Sequence, residues 1–571
     1  MSVGKPTSVP RGRPLGPSVF PPPESLRPTL RGTHGLVVAG NPLASQIAAA
    51  VLEAGGNAID AGVSGSLALT VVQPDMCSLG GIAPIVFRRA GEQTVHSVAG
   101  VGTWSASASI DAFRARHGDT MPPGVASTVV PAAPAAFIAA LRAAGTWRFH
   151  EVAAMAIELA ADGFPVDPTL AAGLDFFGQV FKQWSSTTDI YWPDGAPAPT
   201  GSLLRQPDLA AVLSELAAAD AREPDRDRGL TAAHRAFYEG RIAETMVDFV
   251  TAGGGFLTLE DMATFSADIA ETPSRRYRDM VVHAPHAWTQ GPLLLQALAI
   301  LETFDLAALS PGSADLLHLI TEAITLAAGD RERYYGDPDF VDVPLEWLLS
   351  DEHAKERAAQ ITADASLPNV AGFTGDAIRS TTHLSVVDAA GNAFSTAPSD
   401  TMSLAPVVPG LGFIVSPRGI QSRLDPDHPA SLEPGKRPRI TPAPVIAFDR
   451  DGQPWALSCP GGDVILQAIL QVIVSAVDHS MTPQQAVEAP RICALTFPNS
   501  FHPHQQIDGQ LCVEGRIDEA VRIDLENRGH HVQDWPDWEF DAGSVALVRA
   551  LPNGTLEAGA DPRRAAHTAG R

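Results

Sequence analysis

Ser380-Thr381-Thr382-His383-Leu384-Ser385-Val386-Val387-Asp388-Ala389-Ala390-Gly391-Asn392 is the stretch on which the fold turns. From Thr381 onward the hydrophobic period changes to two, and residues 389–392 read as the turn of a hairpin joining 383–388 to 393–396. A threonine pair ahead of a strand is ordinary, because β-branched side chains suit a pleated surface. The residues downstream give the pair a second meaning. Residues 445–448 and 455–458 flank Asp449-Arg450-Asp451-Gly452 as another hairpin, and Cys459-Pro460-Gly461-Gly462 turns into a buried helix over 464–477. Thr482-Pro483 opens one more helix, with threonine at the cap and proline in the first turn. Such a self-contained unit is what a chain needs if it cuts itself before Thr381 and uses the new N-terminal threonine as nucleophile. The freed α-amine then serves as base for the neighbouring hydroxyl, so no separate histidine is required.

Upstream, residues 37–39 read as a short strand. Asn41 caps a helix whose first turn holds Pro42, and Gly55-Gly56 ends it. An alanine-rich helix over 58–71 stops at Pro74, and its small-residue face suits close packing on a sheet. Residues 85–89 and 94–98 pair around Ala90-Gly91. The middle, roughly 110–360, reads as mainly helical, with long runs at 152–161 and 314–328. Strands covered by helices on a mostly antiparallel sheet require an α+β arrangement, an αββα sandwich.

The ordered set of motifs resembles the γ-glutamyltranspeptidase family of N-terminal-nucleophile hydrolases. It comprises Ala44-Ser45-Gln46, Gly55-Gly56-Asn57-Ala58-Ile59-Asp60-Ala61, Val72-Gln73-Pro74, Gly80-Gly81, Tyr334-Tyr335-Gly336-Asp337-Pro338, Pro434-Gly435-Lys436-Arg437-Pro438, Pro460-Gly461-Gly462, Glu488-Ala489-Pro490-Arg491 and Asp561-Pro562-Arg563, over roughly residues 31–566. The resemblance implies the same four-layer αββα fold, built from a large part (31–380) and a small part (381–571) of one precursor cleaved between Ser380 and Thr381. It further implies Thr381 as nucleophile, Ser399 as the hydroxyl that hydrogen-bonds it, and the Gly461 and Gly462 N–H groups as an oxyanion hole. His383 takes a structural role.

The chain departs from the family where a γ-glutamyl donor would be held. Such a donor needs an arginine for its α-carboxylate and an acid for its α-amine. The strand that carries the arginine reads Ser97-Val98-Ala99-Gly100-Val101-Gly102-Thr103-Trp104, so the position is Ala99 or Thr103. The asparagine expected twenty residues after the nucleophile is Thr401. Gln421 stands where the amine-binding aspartate is expected, and Ile440-Thr441 replace two serines. Arg418 enters the same segment. These substitutions point to a small amide or N-acyl acid donor without a free α-amine, as in oxamate-amidohydrolase-like or acylase-like members. Arg418 is expected to take the donor's carboxylate, so that Arg418→Ala raises KM, with Trp104 as an apolar wall and Thr401, Gln421 and Thr441 lining the pocket. Two other readings stand beside it: a glutathione hydrolase or γ-glutamyltransferase with relocated binding residues, and a catalytically inactive binding relative. The intact Thr381, Thr382, Gly461 and Gly462 argue against the last.

Composition bounds the partners. Of 571 residues, 45% are hydrophobic, and 40 Lys and Arg against 65 Asp and Glu leave a net charge of −25. Nucleic acid and anionic membrane surfaces are poor partners for such a chain. No cofactor is called for. Cys77, Cys459, Cys493 and Cys512 lack paired metal spacing, which disfavours a zinc site. The loop-like settings of His502, His504, His530 and His531 read as solvated. Eight prolines in residues 1–30 and no apolar run mark a disordered tail without a signal peptide. A cytoplasmic protein is expected, acting on a small-molecule amide with water or an amine as acceptor, and a dimer of the cleaved heterodimers is possible.

Overall fold

The computed structural model describes residues 25–367, 381–505 and 509–571. Most of the proline-rich tail, and Ser380 of the expected junction, lie outside the described residues.

Two seven-stranded sheets, antiparallel throughout, form the centre. One runs Leu30–Gly32, Leu556–Ala560, Ala546–Ala550, Pro454–Ser458, Val445–Phe448, Met280–His283, Ser274–Tyr277. The other runs His567–Gly570, Gly35–Ala39, Leu384–Asp388, Ala393–Thr396, Ile85–Arg88, His96–Val98, Ile269–Glu271. The period-two pattern does what alternation must. Leu36, Val38 and Val387 point between the sheets onto Ile446, Ala456, Val548 and Ala558. Their neighbours Val37, Ala39 and Val386 point the other way, into a core shared with the helices. The inter-sheet layer is rich in alanine and valine, and it carries polar links as well. Ser385 Oγ lies 2.8 Å from Ser458 Oγ, and Ser395 Oγ donates to the Leu457 carbonyl at 2.6 Å.

Helices cover both outer faces, which completes the αββα sandwich. On the second sheet lie Pro42–Glu53 and Ala58–Val72. Asn41 caps the first through Leu43 N–H, and Asn57 with Asp60 forms a capping box on the other. The first sheet is covered by Gly291–Leu301, Ala314–Tyr334 and Ile465–Val477. The last of these buries Ile465, Leu466, Ile469, Leu470, Val472 and Ile473. At about 1.5–3 kcal/mol per side chain, that is a gross burial term on the order of 10 kcal/mol.

The middle of the chain is less uniformly helical than its sequence suggests. Ser274–Tyr277 and Met280–His283 form a hairpin there, at the edge of the first sheet. The helix expected over 314–328 runs on to Tyr334. Each sheet takes strands from before and after Thr381, so cleavage there would leave two parts that cannot separate without breaking both sheets. Among the described residues, no helix is long and apolar enough to cross a membrane.

Candidate active site

The hairpin register builds the first half of the site. Leu384 faces Thr396 across the antiparallel pair. Carried three residues further, that register sets Thr381 opposite Ser399. Thr381 Oγ1 and Ser399 Oγ are 2.9 Å apart, and both residues are buried. The backbone holds this end closed. Thr382 N–H donates to the Pro398 carbonyl at 3.0 Å, and Ser399 N–H donates to the Ile82 carbonyl at 3.0 Å. Thr382 Oγ1 donates to Gln73 Oε1 at 2.6 Å, which ties the Val72-Gln73-Pro74 motif to the nucleophile strand.

Arg418 arrives from a short turn, Arg418–Gln421, and is almost fully buried. Its Nη2 donates to Ser399 Oγ at 2.6 Å, its Nε donates to Asp400 Oδ1 at 2.7 Å, and its Nη1 donates to Gln421 Oε1 at 3.2 Å. Nη2 also pairs with Asp400. Gln421 Nε2 in turn donates to Thr441 Oγ1 at 3.3 Å. Five residues singled out in the sequence thus form one hydrogen-bonded chain: Thr381, Ser399, Arg418, Gln421 and Thr441. The Arg418 charge is met by Asp400, and four of its five N–H donors are engaged. The guanidinium is therefore set to hold Ser399.

Asp400 was not anticipated. It is buried, sits at φ 90°, and accepts from Ser416 Oγ at 2.5 Å as well as from Arg418. Its only sequence signal is adjacency to Ser399, since the arginine it neutralises lies eighteen residues on. Thr401 stands apart from the chain, paired with Ser403 Oγ at 3.1 Å. Trp104 backs the turn: its Nε1 donates to Ser422 Oγ at 2.9 Å, and a Cβ on Gly419 would lie 2.3 Å from the indole. Ala99, one of the two positions where a γ-glutamyl donor would need arginine, belongs to an apolar cluster with Ile82, Val101, Trp288 and Ile440. That cluster touches the site at two points. Ile82 bridges Ser399, and Ile440 precedes Thr441.

The other half is the turn after strand Pro454–Ser458. Gly461 has φ 132° and Gly462 φ 62°, consecutive conformations that side chains other than glycine rarely adopt. Among the described residues neither N–H meets an acceptor, and both precede the N-terminus of helix Ile465–Val477, where partial positive charge collects. Asp463 anchors the turn, accepting from Arg331 Nη1 at 2.6 Å, Gln290 Nε2 at 2.7 Å and Ser500 Oγ at 2.6 Å. Arg564 borders this turn, its Nη2 lying 3.9 Å from where a Cβ on Gly461 would stand. Burial, with help from that guanidinium, pushes the His383 imidazole down to about 3. His383 is thus neutral at working pH, and among the described residues neither ring nitrogen has a hydrogen-bond partner.

Two further groups differ from the sequence expectation. Asp75 is buried, with neither carboxylate oxygen meeting a hydrogen-bond partner among the described residues, and burial, with Asp167 next, raises its carboxyl to about 7. Of the histidines expected to be solvated, His530 is buried and His502 and His504 are half-buried; His531 is exposed as expected.

Comparison with known proteins places the chain. The family model described as Gamma-glutamyltranspeptidase matches residues 44–571. The acylase ACY 1 proenzyme of Pseudomonas sp. (strain SE83) is 32% identical over 538 residues, 92% of this chain and 91% of that protein. The glutathione hydrolase proenzyme of Escherichia coli (strain K12) is 31% identical over 566 residues, 94% and 91% of the two. The crystal structure of cephalosporin acylase from Bacillus halodurans has a TM-score of 0.84 at 29% identity, covering 97% of this chain and 99% of that one.

Proposed function

The chain belongs to the γ-glutamyltranspeptidase family, and we propose that within it this member is an acylase-type amide hydrolase acting on a small N-acyl donor without a free α-amine. It is a self-processing hydrolase of the N-terminal-nucleophile class, made as one precursor and working as a large and a small subunit. Cleavage before Thr381 frees the α-amine. That amine takes the Thr381 hydroxyl proton while Oγ1 attacks the donor carbonyl carbon. The carbonyl oxygen takes up negative charge against the Gly461 and Gly462 N–H groups. The amide C–N bond breaks, the leaving amine departs with the proton, and an ester remains on Thr381. Water then attacks that ester and releases the acid; an amine acceptor in its place gives transfer. Ser399 orients the nucleophile, and Arg418, neutralised by Asp400, orients Ser399.

One observation supports the donor class above the others. Ala99, one of the two positions (with Thr103) that would hold a γ-glutamyl α-carboxylate, is packed with Trp288 and Ile440. Asp400, the acid next to Ser399, is already engaged by Arg418 and Ser416. A charged amine or carboxylate buried there without a partner costs several kcal/mol, whereas an apolar acyl chain gains from the contact. The resemblance to the acylase proenzyme agrees with this. Pairing of two cleaved heterodimers is proposed with it, and a native mass twice that of one precursor would support the pairing.

The test has two stages. Intact mass of the purified protein should give two chains, the smaller starting at Thr381 and near 191/571 of 60.0 kDa, or roughly 20 kDa, while Thr381→Ala stays whole. The processed enzyme is then given an aliphatic N-acyl p-nitroanilide and γ-glutamyl-p-nitroanilide. The N-acyl donor should be favoured about 100-fold or more in kcat/KM, the size expected of an unpaired buried charge. Preference for the γ-glutamyl donor would overturn the donor assignment and leave the nucleophile intact.

A further inference from the structure

Outside the catalytic group, a second cluster of chemistry-bearing side chains lies buried behind the first sheet. His318 and Glu322 stand four residues apart on one face of helix Ala314–Tyr334, and His530 meets them from the turn after helix Glu519–Asn527. Among the described residues these three form the group whose ligand atoms all lie within 4.8 Å of one another. His318 Nδ1 is 2.8 Å from His530 Nε2, and His530 Nε2 is 3.7 Å from a Glu322 carboxylate oxygen.

We propose that His318, Glu322 and His530 form a structural site for a divalent transition-metal ion, zinc above all. The tautomer of His318 favours it; His530, whose Nε2 donates to His318 Nδ1 at 2.8 Å, ligates once its hydrogen moves to its own Nδ1. His318 Nε2 donates to the Thr362 carbonyl at 2.8 Å, which leaves Nδ1 with its lone pair turned inward. A metal-binding histidine is usually set by such a second bond from its other nitrogen. Glu322 offers a carboxylate oxygen, and its other oxygen is fixed by Leu367 N–H at 3.1 Å. Two imidazoles and a carboxylate are a zinc donor set. With metal–ligand bonds of about 2.0–2.2 Å, tetrahedral ligands stand about 3.3 Å apart, so the present separations need side-chain shifts of order 1 Å or less.

The site is separate from catalysis. His318 precedes Arg331, the partner of Asp463 at the glycine turn, by thirteen residues, which is about 20 Å along the helix. Its neighbours suggest what an ion would do. Thr362 and Leu367 both bond to the cluster, so an ion there fastens segment 361–367 to the helix and to the His530 turn.

The test uses the full-length protein freed of metal by chelation. Zinc titrated by calorimetry should bind at one equivalent per chain, and cobalt should give the visible absorption of a low-symmetry, four-coordinate N/O site. His530→Gln and Glu322→Gln should each weaken zinc by about 100-fold or more while turnover is kept, because neither residue touches the catalytic group. Zinc should also raise the melting temperature of the wild type and not of the variants. Should a variant fail to fold, the cobalt spectrum of the wild type decides alone. No zinc uptake at micromolar concentration, an octahedral cobalt spectrum, or variants that bind as tightly as the wild type would each overturn the proposal.

Discussion

Arg418→Lys separates two roles that the sequence could not. In the structure Arg418 makes a fork: Nε and Nη2 on Asp400, Nη2 on Ser399, Nη1 on Gln421. Lysine keeps the charge that Asp400 needs, so no buried carboxylate is left uncompensated and the fold should survive. A single ammonium cannot span Asp400, Ser399 and Gln421 together. The bond that matters for turnover is the 2.6 Å donation to Ser399. A hydrogen bond from a charged donor contributes about 1.5–3 kcal/mol, and if that loss is felt as Ser399 loosens against Thr381 in the transition state, kcat falls about 10- to 100-fold. KM should stay within about a factor of three, because the substrate never meets this side chain directly. Ser399→Ala should give a similar fall. The double variant should be no worse than the worse single, since both changes break one link of the same chain. Steady-state kinetics on processed enzyme read all three, with circular dichroism to confirm the fold. A steep rise in KM at unchanged kcat would refute the reasoning and return Arg418 to a carboxylate-binding role.

Two other outcomes are expected. Gly461→Ala meets no clash, since the nearest atom to an added Cβ is 3.6 Å away, but at φ 132° the residue is strained and the turn should relax. With the oxyanion N–H displaced, kcat should drop about 100-fold at nearly unchanged melting temperature; normal turnover would remove this turn from the chemistry. Asp75→Asn should stabilise the protein in a pH-dependent way. Burial raises the Asp75 carboxyl from 3.8 to about 7, so the folded state binds the extra proton and wild-type stability falls as pH rises from about 4 to 7, levelling above. The full difference is about three pKa units, on the order of 4 kcal/mol. Denaturant midpoints of the two proteins should coincide near pH 4 and diverge toward pH 8; a gap constant with pH would show that Asp75 is ionised throughout.

How much of this was legible without coordinates depends on the distance along the chain. The pairing of Thr381 with Ser399 was implied by the resemblance, and the hairpin register gives its physical reason. Alternation and the Asp388–Asn392 turn set a hairpin, the hairpin sets the register, and the register brings residues eighteen apart face to face. The caps at Asn41 and Thr482 were readable for the same reason, since a side chain that bonds a backbone N–H two or three residues away needs no tertiary context. The Gly461-Gly462 turn was readable as a turn, because backbone conformation is written in the residues that adopt it.

What only the tertiary structure decided lies across the chain. The charge on Arg418 looked available for a substrate until Asp400 stood against it. His530 looked solvated until His318 and Glu322, more than two hundred residues earlier, closed over it. Ala99 marked a missing arginine, but that Trp288 and Ile440 fill its surroundings emerges only when strands from both parts of the chain pack together. The physical reason is common to all three. Periodicity and capping report which face a residue presents, whereas burial, neutralisation and ligand geometry depend on which other face arrives, and two facing sheets bring those partners from distant places in the sequence.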